Sequence, residues 1–427
     1  MELYKVNSLE DITPELVHAL VERYKVREVP RLEKLDKYYR GENKINERTE
    51  FTPGKPNNKV SNPFAAYIVD STGGYFLGKP VLYRGEDTDL MVRVQSILDR
   101  NLEEGHNIAL GKDLSTFGVA YELLYLDDKT DVRFHQLSPL NTFMIYDKSL
   151  DGRPVAGVRF YNNVDYLTDD VSTQIELYTD DKVIVFKQGE EGLEVESSVD
   201  HYFGGVPIVY YYNNQELQGD FEKVIPLIDA YDTAVSDTVN NLDYFADAYL
   251  AISDSTLEPE DIGPMKENRV MLLNDGAKAE WLVKGADTVQ AEELKERLRE
   301  DIFTLVSVPD LTKTGGSSTS GEAMKYRLIG LDNKIAGKER LFAKSLDVRL
   351  KFIVNTLNLK GGSFENNIEF RFQRNLPDNY STDIENAVKL SGIVSHRTQL
   401  ELLSNIIGGD VDAEMERFQE DTEDNPY

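Results

Sequence analysis

Along much of the chain apolar residues recur every three or four positions, the period of an amphipathic helix. Leu16, Leu20 and Tyr24 follow Thr13-Pro14, a capping residue with proline at the first helical position. After Pro30 the pattern resumes at Leu32, Leu35 and Tyr39, so two helices meet near that proline. "GENKINERTEFTPGKPNN" (41–58) is a polar loop. Asn62-Pro63 repeats the cap-and-proline start, and the helix carried by "FAAYIVDST" is expected to end at Gly73-Gly74. Residues 88–117 read as two more helices.

From 118 to 212 the texture changes. Short β-branched and aromatic runs ("VAYELLYL", "NTFMIY", "VAGVRFY", "STQIELYT", "DKVIVFK", "VPIVYYY") alternate with turn residues, which predicts roughly seven or eight strands. Acid pairs such as Asp127-Asp128, Asp169-Asp170 and Asp180-Asp181 fall between runs and read as turn residues.

Helical spacing returns at Val224, Ile228, Tyr231, Val235, Val239, Leu242, Ala246 and Tyr249. The opposite face carries Asp229, Asp232, Asp237, Asp243 and Asp247. Residues 253–285 break the pattern, and "NRVMLLN" and "AEWLVK" around Asp275-Gly276 suggest a hairpin. A further helix over 288–308 places Leu294, Leu298, Ile302 and Leu305 on one stripe. The longest pattern runs from Met324 through Leu331, Ile335, Phe342, Leu346, Leu350 and Ile353 to Leu357, before Gly361-Gly362. Taken as 321–358, it is about 57 Å long at roughly 1.5 Å per residue. Gly330 and Gly337 inside it point to a bend or a close neighbour. So long a helix suits an assembly in which adjacent copies cover its apolar face. "NNIEFRFQRNLP" (366–377) reads as a strand, followed by helices at 381–392 and 396–407 and an acidic tail, 410–427.

Between the helices 288–308 and 321–358 lies "TKTGGSSTSG", a run of small polar residues of the kind usually found at termini or between domains.

The chain has 427 residues, which favours two or more domains. No apolar run reaches the roughly 20 residues of a membrane span, and the acidic N-terminus lacks the apolar core of a signal peptide. The absence of cysteine removes disulfides, thiolate metal sites and cysteine nucleophiles, and fits a reducing cytoplasm. Histidines at 18, 106, 135, 201 and 396 show no metal-ligand spacing. A net charge of −29 without a block of Lys/Arg argues against stable, salt-sensitive DNA binding. A weaker relation to DNA, such as a surface that must not hold it, remains open.

Enzyme motifs fail on their context. Gly73, Gly78 and Lys79 fit G-x-x-x-x-G-K, but Pro80 replaces the hydroxyl residue that would bind magnesium, and a strand follows. "PDLTK" (309–313) resembles a nuclease start, yet the Gly/Ser run follows where the second acid and the lysine are needed. No catalytic constellation, metal site or cofactor is expected.

Several segments in chain order resemble the portal proteins of tailed bacteriophages, in the SPP1-type family. They are "YYRGENKI" (38–45), "SNPFAAYIVDSTGGYFLGKPV" (61–81), "IYDKSLDGRP" (145–154), "DAYDTAVSDTVNNLDYFADAYLAI" (229–252), "SVPDLTKTGGSSTSGEAMKYRLIGLDNKIAGKERLF" (307–342) and "FQRNLPDN" (372–379). The resemblance implies an α+β subunit with an α/β wing, a two-helix stem, a small α/β clip, a long helix behind a tunnel loop, and a helical crown. By that analogy 1–221 is wing, 222–252 and 288–309 are stem helices, 253–287 is clip and 310–320 is tunnel loop. Residues 321–379 are the long wing helix and a strand, 380–409 the crown, and 410–427 the acidic tail.

The resemblance also implies a ring, commonly of twelve subunits, at one capsid vertex of the virion, made in the host bacterial cytoplasm. Double-stranded DNA would pass through it without sequence specificity during packaging and ejection. The implied tunnel loop comprises Thr312, Lys313, Thr314, Gly315, Gly316, Ser317, Ser318, Thr319 and Ser320. Asp229, Asp232, Asp237, Asp243 and Asp247 are candidates for an acidic lumen, with a solvated outer face as the alternative. Glu258, Glu260, Asp261, Lys266, Arg269 and Trp281 would serve clip docking. Partners would be the terminase large subunit, a head-completion or adaptor protein, and the major capsid and scaffolding proteins, with no membrane. Two other readings compete: a metal-dependent nuclease or nucleotide hydrolase of phage origin, and a shell-forming capsid protein.

Overall fold

The computed structural model describes residues 2–49, 56–164, 166–169, 171–189, 192–246, 249–253, 278–282, 288–310, 312, 321–375, 380–407, 411 and 414–417. It divides into two compact units. One comprises Met1–Thr314 with Arg327–Arg374, the other Gly315–Tyr326 with Asn375–Tyr427.

In the first unit α1 (Pro14–Arg27) starts behind Thr13, whose hydroxyl accepts from the Leu16 amide, and α2 (Val29–Tyr39) follows after Glu28. Next comes α3 (Phe64–Leu77), which runs through Gly73-Gly74 instead of stopping there and is capped at Gly78. Asn62 is not its cap; its side chain is engaged elsewhere. Helices α4 (Thr88–Arg100) and α5 (Glu103–Phe117) precede the sheets.

A six-stranded sheet has the order β1-β5-β6-β7-β8-β9, and a three-stranded sheet the order β10-β3-β4. The strands are β1 (Tyr4–Val6), β3 (Val119–Leu126), β4 (Val132–Leu137), β5 (Thr142–Asp147), β6 (Pro154–Val164), β7 (Val171–Tyr178), β8 (Lys182–Gln188), β9 (Leu193–Asp200) and β10 (Ile208–Tyr212). β1 lies parallel to β5, and the other pairings in both sheets are antiparallel. A small ribbon joins β2 (Leu82–Arg84) to β13 (Glu369–Arg371), so the strand expected over 366–377 is only three residues long. Val119, Tyr121, Leu137, Met144, Tyr146, Tyr178 and Ile208 form a core cluster that joins the two main sheets.

Helix α6 (Ile225–Ala246) ends before Tyr249, which belongs to β11 (Tyr249–Ser253) and not to the helical stripe. β11 pairs antiparallel with β12 (Lys278–Leu282), so the strand expected at "AEWLVK" exists but its described partner is 249–253. The other half of the expected hairpin, 268–274, lies outside the described residues. In α7 (Thr288–Val306) Ile302, Phe303 and Val306 are buried, whereas Leu294 and Leu305 of the expected stripe are exposed.

Helix α8 spans Gly321–Leu359, 39 residues. Its stripe at Leu331, Ile335, Phe342, Leu346, Leu350 and Ile353 is almost wholly buried within the chain itself. The inference that neighbouring copies must cover that stripe is therefore wrong. The sheets and shorter helices of the same unit do so, with Phe342 edge-on to Phe76 and tilted against Tyr211. Gly330 lets Ser307 approach, whereas nothing crowds Gly337.

The second unit holds the first residues of α8, α9 (Tyr380–Lys389) and α10 (His396–Ile407). Gln399 of α10 donates to the Ala387 carbonyl at 3.0 Å, and Ala387 is buried. No described helix is long and apolar enough to cross a membrane.

Candidate functional site

Helices α6 and α7 are gripped by aromatic rings at their near ends. Phe64 lies edge-on to Tyr231 of α6 and to Phe303 of α7, with ring centroids 4.9 and 5.8 Å apart, and Tyr67 meets Phe303 at 5.3 Å.

The acidic face of α6 binds the polar segment that joins α2 to α3. Tyr38 donates to Asp229. Asn43 Nδ2 and the backbone and side-chain amides of Asn62 converge on Asp232 at 2.6, 3.0 and 2.8 Å. The Val60 amide donates to Ser236 Oγ, the Asn58 amide to Asn240 Oδ1 and Asn58 Nδ2 to Asp243, at 2.9, 2.6 and 2.5 Å. Arg48 pairs with Asp237 at 2.8 Å. Positions 229, 232, 236, 240 and 243 recur at helical spacing, so they form a ladder along one face. The reason is local: the chain around 58–62 is not in a strand or helix, so its amides need acceptors that α6 side chains provide.

Asp232 is fully buried and offers no face to a channel; for this residue the lumen-facing and solvated alternatives both fall. Burial raises its carboxyl pKa against the opposing pull of the Asn43 and Asn62 donors, and Asp229 adds to the rise. Asp229 and Asp237 are part-exposed and Asp243 exposed. Asp247 lies outside the described residues.

The foot of the Gly/Ser run is held firmly. α7 ends with the Ser307 amide bonded to Thr304 O and the Val308 amide to Phe303 O, with Ser307 at φ 58°. That is a Schellman-type stop with serine in the left-handed position glycine usually takes. Lys334 of α8 donates to the last helical carbonyl, Val306 O, at 3.2 Å. Tyr67 Oη donates to Pro309 O at 3.3 Å. Arg299 lies 2.9 Å from the Asp310 carboxylate and donates to the Thr312 hydroxyl, while Asp310 accepts from the Thr312 amide at 3.0 Å. Burial opposes ionisation of Asp310, but Thr312 and Arg299 hold its pKa below the usual carboxylate value. Thr312 is therefore a fixed end, while Lys313, Thr314, Gly315, Gly316, Ser317, Ser318, Thr319 and Ser320 lie outside the described residues.

On the far side of that run, α8 is fixed by two buried ion-pair groups. Lys338 Nζ donates to Asp220 and to Ser115 Oγ, both at 2.8 Å. Arg349, with no exposed surface, meets Glu122 at 2.9 Å and Glu103 at 3.2 Å, and donates to Asn107 Oδ1 and Tyr211 Oη at 2.9 and 3.0 Å. Burial alone would raise the Glu122 pKa; Arg349, His106 and Tyr211 bring it down to about 2. Sequence reasoning missed both groups. The available signal was an arginine set within an apolar helical stripe and one glutamate inside the apolar run "VAYELLYL".

Gly73 and Gly74 sit inside α3, where their amides belong to the helix and cradle no phosphate. Asp310 is paired with Arg299. Among the described residues no three His, Asp or Glu side chains are grouped to hold a metal ion. Of the docking candidates, Trp281 lies in β12, while Glu258, Glu260, Asp261, Lys266 and Arg269 lie outside the described residues.

The family described as "Phage portal protein, SPP1 Gp6-like" matches residues 20–426. A portal protein of Bacillus phage SPP1 is 21% identical over 389 residues, covering 86% of this chain and 76% of the relative. One of Clostridium phage phiCD119 is 23% identical over 376 residues, covering 82% of each. Among solved structures, a chain from the neck of an empty gene transfer agent particle is 14% identical at a TM-score of 0.48, over 87% of this chain and 93% of that one. With the family matched from residue 20 almost to the last residue, the chain belongs to the SPP1-type phage portal proteins.

Proposed function

We propose that this chain assembles into a ring, most simply a dodecamer, at one vertex of a tailed-phage capsid. The ring is the passage for double-stranded DNA during packaging and ejection. It also docks the terminase large subunit, a head-completion or adaptor protein, and the capsid and scaffolding proteins. The observation that carries this reading is the family match over residues 20–426. The described residues on either side of 313–320 support it. The foot of the Gly/Ser run is clamped by Arg299, Asp310 and Tyr67, and the helix beyond it is anchored by Lys338 and Arg349. Small polar side chains between two such anchors can approach passing phosphates without gripping a base. Asp229, Asp237 and Asp243, which keep exposed surface, remain candidates for the acidic lumen.

The test is to shorten 313–320 in the full chain. Rings should still form, seen as particles with a central hole by electron microscopy, and DNA packaging or retention should fall. Loss of the ring itself would overturn the tunnel-loop assignment. Closed shells formed by this chain alone would overturn the portal reading.

A further inference from the structure

Two adjoining grooves flank the outer face of α8. One, of about 290 Å³, runs between Leu341, Lys344 and Val348 and the β1 edge at Leu3 and Lys5. The other, of about 430 Å³, runs between Lys334, Arg340 and Leu341 and the loop after β10. They share Leu341 as a lining residue. Lys5, Arg340, Lys344 and, further along, Lys351 are exposed and have no carboxylate partner among the described residues. The setting is unusual for this chain. α8 carries eight Lys/Arg against four Asp/Glu, whereas the whole chain has a net charge of −29. The walls are apolar in part, with Leu3 and Leu150 exposed beside Tyr146 and Tyr210.

The opposite edge of the same sheet is its complement. β9 is a sheet edge whose one described strand neighbour is β8, and every residue from Glu194 to Asp200 is exposed. Val195 and Val199 are 57% and 62% exposed, interleaved with Glu194, Glu196 and Asp200. Glu196 accepts from Gln174, and Lys187 and Lys182 stand opposite Glu194 and Asp200 in register without pairing with them among the described residues. An exposed edge with apolar side chains is a surface that proteins normally cover.

We propose that β9 of one copy lies in the α8 groove of the next, and that this contact is one of the repeated interfaces of the ring. The proposal rests on the ring reading and adds which surfaces meet. Three observations carry it. The charges are complementary on balance: the groove lining holds five Lys/Arg against Asp151, Glu216 and Asp220, and the strand carries Glu194, Glu196 and Asp200. The lengths are similar: the strand from Leu193 to Asp200 spans about 24 Å at roughly 3.4 Å per step, and residues 334–348, the helical lining of the two grooves, span about 21 Å at roughly 1.5 Å per step. The placement also fits. β1 and β9 are the two edges of one sheet, about 24 Å apart at roughly 4.8 Å per strand. Two different, complementary surfaces on opposite sides of a subunit are what a head-to-tail ring contact requires.

The experiment uses the full chain and measures ring dissociation on dilution by native mass spectrometry, with far-UV circular dichroism as a check of folding. Glu194→Lys with Glu196→Lys should raise the half-dissociation concentration at least tenfold, and so should Arg340→Glu with Lys344→Glu. Mixing the two charge sets in one chain should restore assembly to within threefold of the parent. Because the chain has no cysteine, a second measurement is independent of charge. Val195→Cys or Val199→Cys, combined in turn with Leu341→Cys or Val348→Cys, should give a ladder of disulfide-linked multimers in at least one combination on oxidation. Rings that ignore both reversals and give no ladder beyond the single-cysteine variants would overturn the proposal while leaving the ring intact. A parent chain that stays monomeric would instead remove the ring reading, and this contact with it.

Discussion

Arg349 and Glu122 face each other at 2.9 Å with neither side chain exposed, although 227 residues separate them in the chain. The pair ties the middle of the longest helix to β3, the central strand of the β10-β3-β4 sheet.

Breaking that pair from one side should be costly. Arg349→Met leaves Glu122 buried with His106 and Tyr211 but without its strongest cation, a change worth about 3 kcal/mol. Replacing both, Arg349→Met with Glu122→Gln, should lose less than Arg349→Met alone. Urea unfolding of the two variants checks this; equal or greater loss in the double variant would refute it.

Stability should respond to pH in two opposite ways. Glu122 has a folded pKa lowered to about 2, so its contribution is present above the ordinary carboxylate pKa and is lost as pH falls from there toward 2. Asp113 beside Gln136 is raised by burial to about 7, so its contribution is fully present below the ordinary carboxylate pKa and is lost as pH rises from there to about 7. Asp113→Asn should therefore stabilise the chain by roughly 1–3 kcal/mol at pH 8 relative to its effect at pH 5. Thermal melts at the two pH values measure it, and an equal effect at both would contradict the assignment.

The α6 ladder predicts unequal penalties. Asp232→Ala strands the amides of Asn43 and Asn62 in a buried site and should cost about 1–3 kcal/mol. Arg48→Ala removes a pair whose carboxylate is half exposed and should cost about 0–1 kcal/mol. Hydrogen exchange at Asn58, Val60 and Asn62 should quicken in Asp232→Ala and stay near the parent rate in Arg48→Ala.

Gly118 sits at φ 85°, and a β-carbon there would meet the Leu217 carbonyl at 2.4 Å. Gly118→Ala adds left-handed strain to a backbone clash, so a loss of at least about 2 kcal/mol is expected. A melting temperature within a degree of the parent would show that the loop after β10 yields freely.

Helix existence was legible because caps and periodicity are local. Thr13 and the stripe from Leu331 to Ile353 announced α1 and α8 directly. What covered that stripe was not legible, since a period shows that a face is buried and not by what. The acids of α6 misled for a related reason: carboxylates on a polar helix face look solvated until the segment that binds them is placed. β9 escaped notice because an exposed edge strand has little apolar alternation to detect. The family was readable from ordered segments between 30 and 407, and the match over 20–426 extends it.

Most of the ladder that fastens Tyr38, Asn43, Arg48 and residues 58–62 to α6 uses neutral donors: a phenol, three asparagine side-chain amides, and backbone N–H groups. Arg48 is its one cation among the described residues. Ionic strength weakens exposed attractions between opposite charges, but it acts far less on short hydrogen bonds from uncharged groups. The fastening should thus hold its strength from dilute buffer to concentrated salt, a property that would serve the proposed passage of a polyanion and its counterions.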